Sequence, residues 1–203
     1  MKKLLILSLI FLAPWLANAQ TNYAYLAWDN NFPLSNKDWL DSSSPHGGVA
    51  GFRFFVRDNQ FSVGIDLNWT TYDQYEPTQT FQQENGAITT DYYKYIYQYG
   101  GVISAQYYQP IGSDIVFPYY GLGIGANYNR YSLFYNIYED SESAWGLLVR
   151  PEAGVLVKFG KYRSLGAIAA AHFDYSTVKM ETYDYSGFSS YGFKVGIVIM
   201  GRD

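Results

Sequence analysis

The chain has 203 residues, a formal net charge of −4, no cysteine, 20% aromatic residues with 22 tyrosines among them, and only 16% charged residues. An acidic chain without a basic patch is not a nucleic-acid binder, and a chain without cysteine has neither a disulfide frame nor a His/Cys metal cluster. Charge below the ~25% of soluble domains, together with so much tyrosine, suits a surface that meets a membrane interface, where the ring is apolar and its tip is wet.

The chain opens with MKKLLILSLIFLAPWLANAQ. Two lysines, an apolar run from Leu4 and the small-x-small triplet Ala17-Asn18-Ala19 make residues 1–19 a cleaved secretory signal peptide. The apolar run is too short to span a bilayer comfortably, and no stop-transfer pattern follows. Residues 20–203 are of a size for one domain. They contain no continuous apolar stretch of the ~20 residues a transmembrane helix needs.

Eight short alternating runs follow, each with the period of two that marks a strand with unlike faces. The first, about 22–30, sets Ala24, Leu26 and Trp28 on one face. In the second, 48–57, Ala50, Phe52, Phe54 and Val56 oppose Arg53 and Arg57. The third, FSVGIDLNWTT, sets Phe61, Val63, Ile65, Leu67 and Trp69 against Ser62, Gly64, Asp66, Asn68 and Thr70. The fourth, 92–109, sets Tyr93, Tyr95, Tyr97, Tyr99, Ile103 and Tyr107 against Lys94, Gln98, Ser104 and Gln106. A bulge at Gly100-Gly101 would swap these faces. The fifth, 115–130, sets Tyr120, Leu122, Ile124, Ala126 and Tyr128 against three glycines and two asparagines. The sixth, 145–158, sets Leu147, Val149, Ala153, Val155 and Val157 against Arg150 and Glu152. The seventh, 165–175, sets Leu165, Ala167, Ala169, Ala171 and Phe173 against His172 and Asp174. The eighth, 191–200, sets Phe193, Val195, Ile197 and Ile199 against Lys194 and Gly196. Pro118 and Pro151 fall inside runs and are expected at strand starts or bulges near the turn end.

The connections alternate as well. Asp58-Asn59, IGSD (111–114) and GKYR (160–163) are short and turn-forming. The other four segments are long and polar, among them SNKDWLDSSSPH, DQYEPTQTFQQENGAITTD, YNIYEDSES and VKMETYDYSG. Short turns at one end and longer segments at the other are the rhythm of a membrane barrel. The fold expected is therefore all-β: an eight-stranded antiparallel up-and-down transmembrane β-barrel with short periplasmic turns and longer extracellular loops. In such a barrel the apolar faces meet lipid and the polar faces share the lumen. Phe61, Val63, Ile65, Leu67, Val155, Val157, Val195 and Ile197 are the expected lipid-facing residues. Arg53, Arg57, Asp66, Lys94, Arg150, Glu152, His172, Asp174 and Lys194 are the expected lumen charges. Their mixed signs make sense there, because enclosed charges need partners. Trp69, Tyr93, Tyr107, Tyr128, Trp145 and Tyr175 are expected in two interfacial aromatic girdles.

The strands FSVGIDLNW, YYGLGIGANYNRY, RPEAGVLVKFG and YGFKVGIVIM resemble those of the small eight-stranded outer-membrane β-barrels of Gram-negative bacteria. That group includes the transmembrane domain of outer membrane protein A and the opacity-type proteins. The resemblance rests on pattern over residues 20–203 and on no catalytic motif. It implies a bacterial outer-membrane location, contact with outer-membrane lipid and lipopolysaccharide, insertion by the assembly machinery, and a monomer. The last strand departs from the pattern: it ends IVIMGRD, where these proteins often end on an aromatic residue.

No cofactor and no metal are expected. The strongest catalytic constellation is AHFDYS, in which His172 and Asp174 share an inward face and Ser176 follows. A lipid hydrolase would place such residues near the leaflet, so a lumen network is the better reading and the chain is read as a non-enzyme. Arg150 and Glu152 are expected to join Asp66, Asp174, Arg53 and Lys194 in a lattice that plugs a tube only just wide enough to be filled by side chains. YEDSES (138–143) is acidic, but without calcium-loop spacing it reads as a solvated loop. NWT at Asn68 matches a glycosylation sequon in mid-strand and carries no weight. The functional expectation is a structural or adhesive role through Tyr-rich loops that touch surface ligands or host proteins. Two alternatives stay open: a narrow channel or transporter for small solutes, and a soluble lipocalin-like barrel with a ligand inside.

Overall fold

The structure is a computed structural model that describes residues 22–56, 60–83, 86–135, 138–159, 164–182 and 184–201. The expected signal peptide at 1–19, Arg57 and the turns Asp58-Asn59 and GKYR lie outside the described residues. Eight strands follow one another: β1 (Asn22–Pro33), β2 (Ser44–Val56), β3 (Phe61–Gln83), β4 (Gly86–Tyr108), β5 (Val116–Tyr135), β6 (Tyr138–Phe159), β7 (Leu165–Met180) and β8 (Tyr185–Met200). Each pairs antiparallel with the next, and β8 pairs with β1, closing the barrel. Closure removes every sheet edge, the condition for placing strands in lipid.

The strands run further than their apolar alternation. DQYEPTQTFQ continues β3, and the ladder from Tyr75↔Tyr93 to Gln83↔Gly86 makes most of that polar segment a two-stranded ribbon. YEDSES likewise belongs to β6, where Tyr138 to Ser143 pair with Tyr135 back to Arg130. Once outside lipid, both faces of a strand are wet. Hydrophobic alternation fades there while Tyr, Thr and Gln still sustain the ladder. The segment Leu34–Ser43 behaves differently and folds inward over the barrel mouth. At the opposite end, the amides of Ile115 and Val116 donate to Ser113 Oγ (3.2 and 3.1 Å), and Gly112 takes a φ of 73°, closing the IGSD turn.

Through Gly100-Gly101 the register is unbroken on both sides, from Asn68↔Gly100↔Asn127 to Leu67↔Gly101↔Ala126. There is no bulge, and Tyr99 and Ile103 share one face. Pro118 sits near the start of β5, as expected. Pro151 does not mark a bulge. It pairs with Leu122 of β5, and the β6–β7 register is the same before and after it. Only the ladder pairs of Arg150 and Pro151 with β7 are missing, between Val149↔Tyr175 and Glu152↔His172. A proline nitrogen has no hydrogen to give to a ladder.

The outside of the barrel is apolar and the charges of its strands are enclosed, the reverse of a soluble barrel. Leu26, Ile65, Leu67, Ile103, Ile124, Leu147, Val195 and Ile197 are exposed, Ile65 to 56%. Arg53, Asp66, Arg150, Asp174 and Lys194 are buried, Arg53 completely. This inversion rules out the soluble lipocalin-like alternative.

Candidate functional site

The interior is built in three layers. Nearest the short turns, Tyr23, Phe55, Tyr108, Tyr119, Leu156, Ile168, Val198 and Met200 form an apolar cluster. Its tyrosine hydroxyls are satisfied: Tyr23 and Tyr108 share a hydrogen bond of 2.6 Å, and Tyr108 donates to Gln106 Oε1 at 2.7 Å.

The middle layer holds the charges. Arg53 Nη2 meets Asp66 Oδ2 at 2.5 Å, and that carboxylate also accepts from the Tyr25 hydroxyl (2.6 Å) and Ser104 Oγ (2.9 Å). Lys194 Nζ donates to Glu152 Oε2 at 2.5 Å and to the Tyr25 hydroxyl at 3.2 Å, and Tyr119 donates to Glu152 Oε1 at 2.5 Å. Tyr25 therefore joins one ion pair to the next. Arg150 holds Asp174 with two hydrogen bonds, Nε to Oδ1 at 2.6 Å and Nη2 to Oδ2 at 2.5 Å. His172 Nε2 lies 3.1 Å from Asn31 Oδ1, 3.6 Å from Asp29 Oδ2 and 4.0 Å from Asp174 Oδ2. Two close approaches make room for these groups. A Cβ on Gly64 would stand 2.9 Å from Arg53 Nη1, and one on Gly192 would stand 2.5 Å from His172 Cε1.

Toward the long ribbons lies a second apolar cluster: Trp39, Leu40, Tyr72, Ile96, Tyr131, Val178, Met180 and Phe188. Trp39 and Leu40 come from the segment over the mouth. Asn36 Nδ2 pins that segment by donating to the Tyr131 hydroxyl and to the Gly187 carbonyl, each at 3.1 Å. Tyr131 lies beyond the outer aromatic band, and burial pushes its hydroxyl pKa up to about 12.

Of the nine expected lumen charges, seven are brought into the middle layer. Lys94 is not one of them. It pairs with Glu76 at 3.3 Å in the upper end, with Trp39 and Tyr92 around it. Arg57 lies outside the described residues. The lattice is a set of paired bridges: Tyr25 joins Arg53–Asp66 to Lys194–Glu152, and Arg150–Asp174 forms a further pair. Tyr25, Asp29, Asn31 and the inward tyrosines of both clusters were absent from the sequence-derived set. The alternation that sets Ala24, Leu26 and Trp28 outward on β1 puts Tyr25, Ala27 and Asp29 inward, so following it would have found Tyr25 and Asp29. His172, Asp174 and Ser176 all point inward, and Ser176 Oγ donates to Asn127 Oδ1 at 2.9 Å, so the serine does not address His172. Among the described residues no group of three or more His, Cys, Asp or Glu is placed to hold a metal ion.

On the outer wall, Trp69, Tyr99, Tyr128 and Trp145 are successive cross-strand partners on β3 to β6. Phe61, Tyr107 and Tyr120 make a second such row on β3 to β5. Eight residues separate the rows on each strand. That is about 27 Å along a strand at ~3.4 Å per residue, or roughly 20 Å along the axis at the usual tilt, near the ~25 Å apolar band of membrane barrels. Tyr175 is exposed on β7, opposite Val149 and Ser189. Tyr93 is not in a girdle. It stands six residues beyond Tyr99, against Tyr75 and Phe134, because the strand continues past the membrane band. Val155 and Val157 are half-buried on the same wall.

No protein-family model matches the chain, and no curated protein matches it. Solved structures do. The attachment invasion locus protein Ail of Yersinia pestis, solved with the heparin analogue sucrose octasulfate, is 13% identical with a TM-score of 0.50, over 89% of this chain and 98% of that one. The Neisserial surface protein A is 16% identical with a TM-score of 0.49, over 88% and 95%. The outer membrane protein OprG of Pseudomonas aeruginosa is 11% identical with a TM-score of 0.47, over 91% and 98%. The fold is that of the small eight-stranded outer-membrane β-barrels.

Proposed function

We propose that this outer-membrane barrel is a non-enzymatic, non-conducting anchor that presents an aromatic extracellular surface for adhesion or other surface contacts. The observation that carries the reading is the filled lumen. Paired charges in mid-barrel lie between two apolar clusters, and the upper cluster is completed by Trp39 and Leu40 folding over the mouth. A through-path for ions would have to open all three layers. Phe61, Val63, Ile65, Leu67, Val155, Val157, Val195 and Ile197 face lipid in this reading. Lipopolysaccharide surrounds the wall, the assembly machinery inserts the chain after removal of residues 1–19, and the barrel is a monomer.

The ribbons carry the contact chemistry. Tyr75, Tyr93 and Tyr138 are exposed beyond the girdle, Tyr75 and Tyr93 with ring centroids 4.9 Å apart. Aromatic side chains give large contact area at low conformational cost. Ail was solved with a heparin analogue, but the ribbons here carry Asp91, Asp140 and Glu142, which disfavour a polyanion. A neutral or basic partner surface fits better.

The test joins two measurements. Purified protein in planar bilayers should show no steady open channels. Cells carrying the protein should attach to epithelial monolayers about tenfold better than cells carrying the Tyr75→Ser, Tyr93→Ser, Tyr138→Ser variant. Steady channels with equal attachment would replace this reading with the channel.

A further inference from the structure

Just beyond the outer girdle, the wall of β4, β5 and β6 holds a concave site of about 320 Å³ lined by Tyr97, Tyr99, Tyr128, Arg130, Phe134 and Glu139. The alternation of the ladders puts all six on the outside: Tyr97 pairs with Arg130, Tyr99 with Tyr128, and Phe134 with Glu139. The floor is aromatic. The polar groups converge on one side, where the Arg130 guanidinium is bonded to Glu139 and lies 3.3 Å from Ser141 Oγ, and Ser132 Oγ donates to the same carboxylate at 3.3 Å. Arg130 and Glu139 stay partly exposed, their side chains at 43% and 37%.

We infer that this site binds a sugar ring from the head group of an outer-leaflet glycolipid. Three features select that chemistry. A small apolar site with a few convergent polar groups has the composition and size of a ligand pocket, at the low end of the ~300–1,000 Å³ range. Its polar side is a neutral ion pair flanked by hydroxyls. It offers donors and acceptors together and carries no net positive charge, so it suits a polyol's neighbouring hydroxyls better than an isolated phosphate, which wants uncompensated cations. Tyrosine faces suit the C–H face of a sugar, with the phenol tips free to hydrogen-bond. Position selects the source. Tyr99 and Tyr128 belong to the girdle row, and Arg130 and Glu139 lie beyond it on the ribbon side, the height at which lipid chains give way to head groups. A ligand already held in that leaflet meets the site side-on without leaving the membrane. This inference rests on the membrane placement proposed above and deepens it.

The test uses the full-length mature barrel in phospholipid nanodiscs doped with labelled lipopolysaccharide that retains its core sugars, or with labelled phosphatidylethanolamine, which carries no sugar. The wild type is expected to retain the sugar-bearing lipid at least fivefold over the Tyr97→Ala, Arg130→Gln variant. The phosphatidylethanolamine should be retained equally by both. Each barrel is checked for its heat-dependent gel shift. If the double variant fails that check, Glu139→Gln, which leaves the aromatic floor intact, is compared in its place. Equal retention of the sugar-bearing lipid by wild type and a folded variant overturns the site. Retention of phosphatidylethanolamine at the same level as the sugar-bearing lipid overturns the sugar assignment. Binding of freed core oligosaccharide as tightly as the intact lipid overturns the membrane source in favour of a soluble glycan. None of these outcomes touches the conductance and attachment results, so the two readings fail separately.

Discussion

Arg150 and Asp174 bridge β6 and β7 where the backbone ladder does not. Two hydrogen bonds of 2.6 and 2.5 Å join their side chains, and between Val149↔Tyr175 and Glu152↔His172 those strands have no paired residues. Pro151 removes the backbone donor, and the side-chain fork crosses the same seam from inside the barrel.

Breaking that fork from one side leaves a buried charge alone. Arg150→Met or Asp174→Leu should each cost about 3–5 kcal/mol, read as a fall in the urea midpoint of the barrel in lipid vesicles. The double variant should recover most of the loss. Single variants as stable as the wild type would mean that water penetrates the seam and solvates the orphan.

Gly192 is the gap through which His172 reaches Asn31. A Cβ there would stand 2.5 Å from His172 Cε1 and 2.6 Å from Asn31 Oδ1. Gly192→Val should destabilise by about 1–3 kcal/mol through overpacking, and adding His172→Ala should relieve it. The same unfolding titration checks both. If the second substitution brings no relief, the strain lies in the backbone and not in the imidazole.

Ile65 and Thr80 lie on the same strand in different media. Ile65 faces outward within the band between the aromatic rows, and Thr80 is exposed on the ribbon, within hydrogen-bond distance (2.9 Å) of Thr89. Ile65→Arg should cost about 2–4 kcal/mol, whereas Thr80→Arg should stay within roughly 0.5 kcal/mol. Equal costs would place the membrane band elsewhere.

Tyr131 helps to hold the segment over the mouth, and its folded pKa of about 12 lies above the ordinary value of 10.0. A raised folded pKa means that the contribution is fully present below pH 10 and is lost as pH climbs from 10 through 12, because the unfolded chain gives up its proton first. Subtracting the pH–stability curve of Tyr131→Phe from that of the wild type should therefore leave a difference that falls in that window. A flat difference would show that the hydroxyl titrates normally.

Strand number, the inward face and most of the lumen charges were legible from parity alone, since a strand alternates its faces whatever surrounds it. Arg53, Asp66, Glu152 and Lys194 sit where the alternation puts them. The strand ends were not legible. Beyond Thr71 the outer face of β3 leaves lipid, and a ladder of Tyr, Thr and Gln looks like loop when judged by apolar content. Lys94 is enclosed, as its parity implies, but its partner Glu76 and its height above the middle layer were not legible, because nothing local reports height along the barrel.

By itself the sequence determined the face of each residue and the sign of each enclosed charge, because a period of two is a local property of extended backbone. Only the tertiary structure decided the pairings. Asp66 meets Arg53, Arg150 meets Asp174, and Lys194 reaches across the lumen to Glu152, because closure and the stagger between strands bring distant residues to one height. The same closure folded Trp39 and Leu40 into the mouth, whereas the register of β4, β5 and β6 set Arg130 and Glu139 above a floor of tyrosines. Contacts across the lumen, such as Lys194 with Glu152, depend on the whole ring and on no single run.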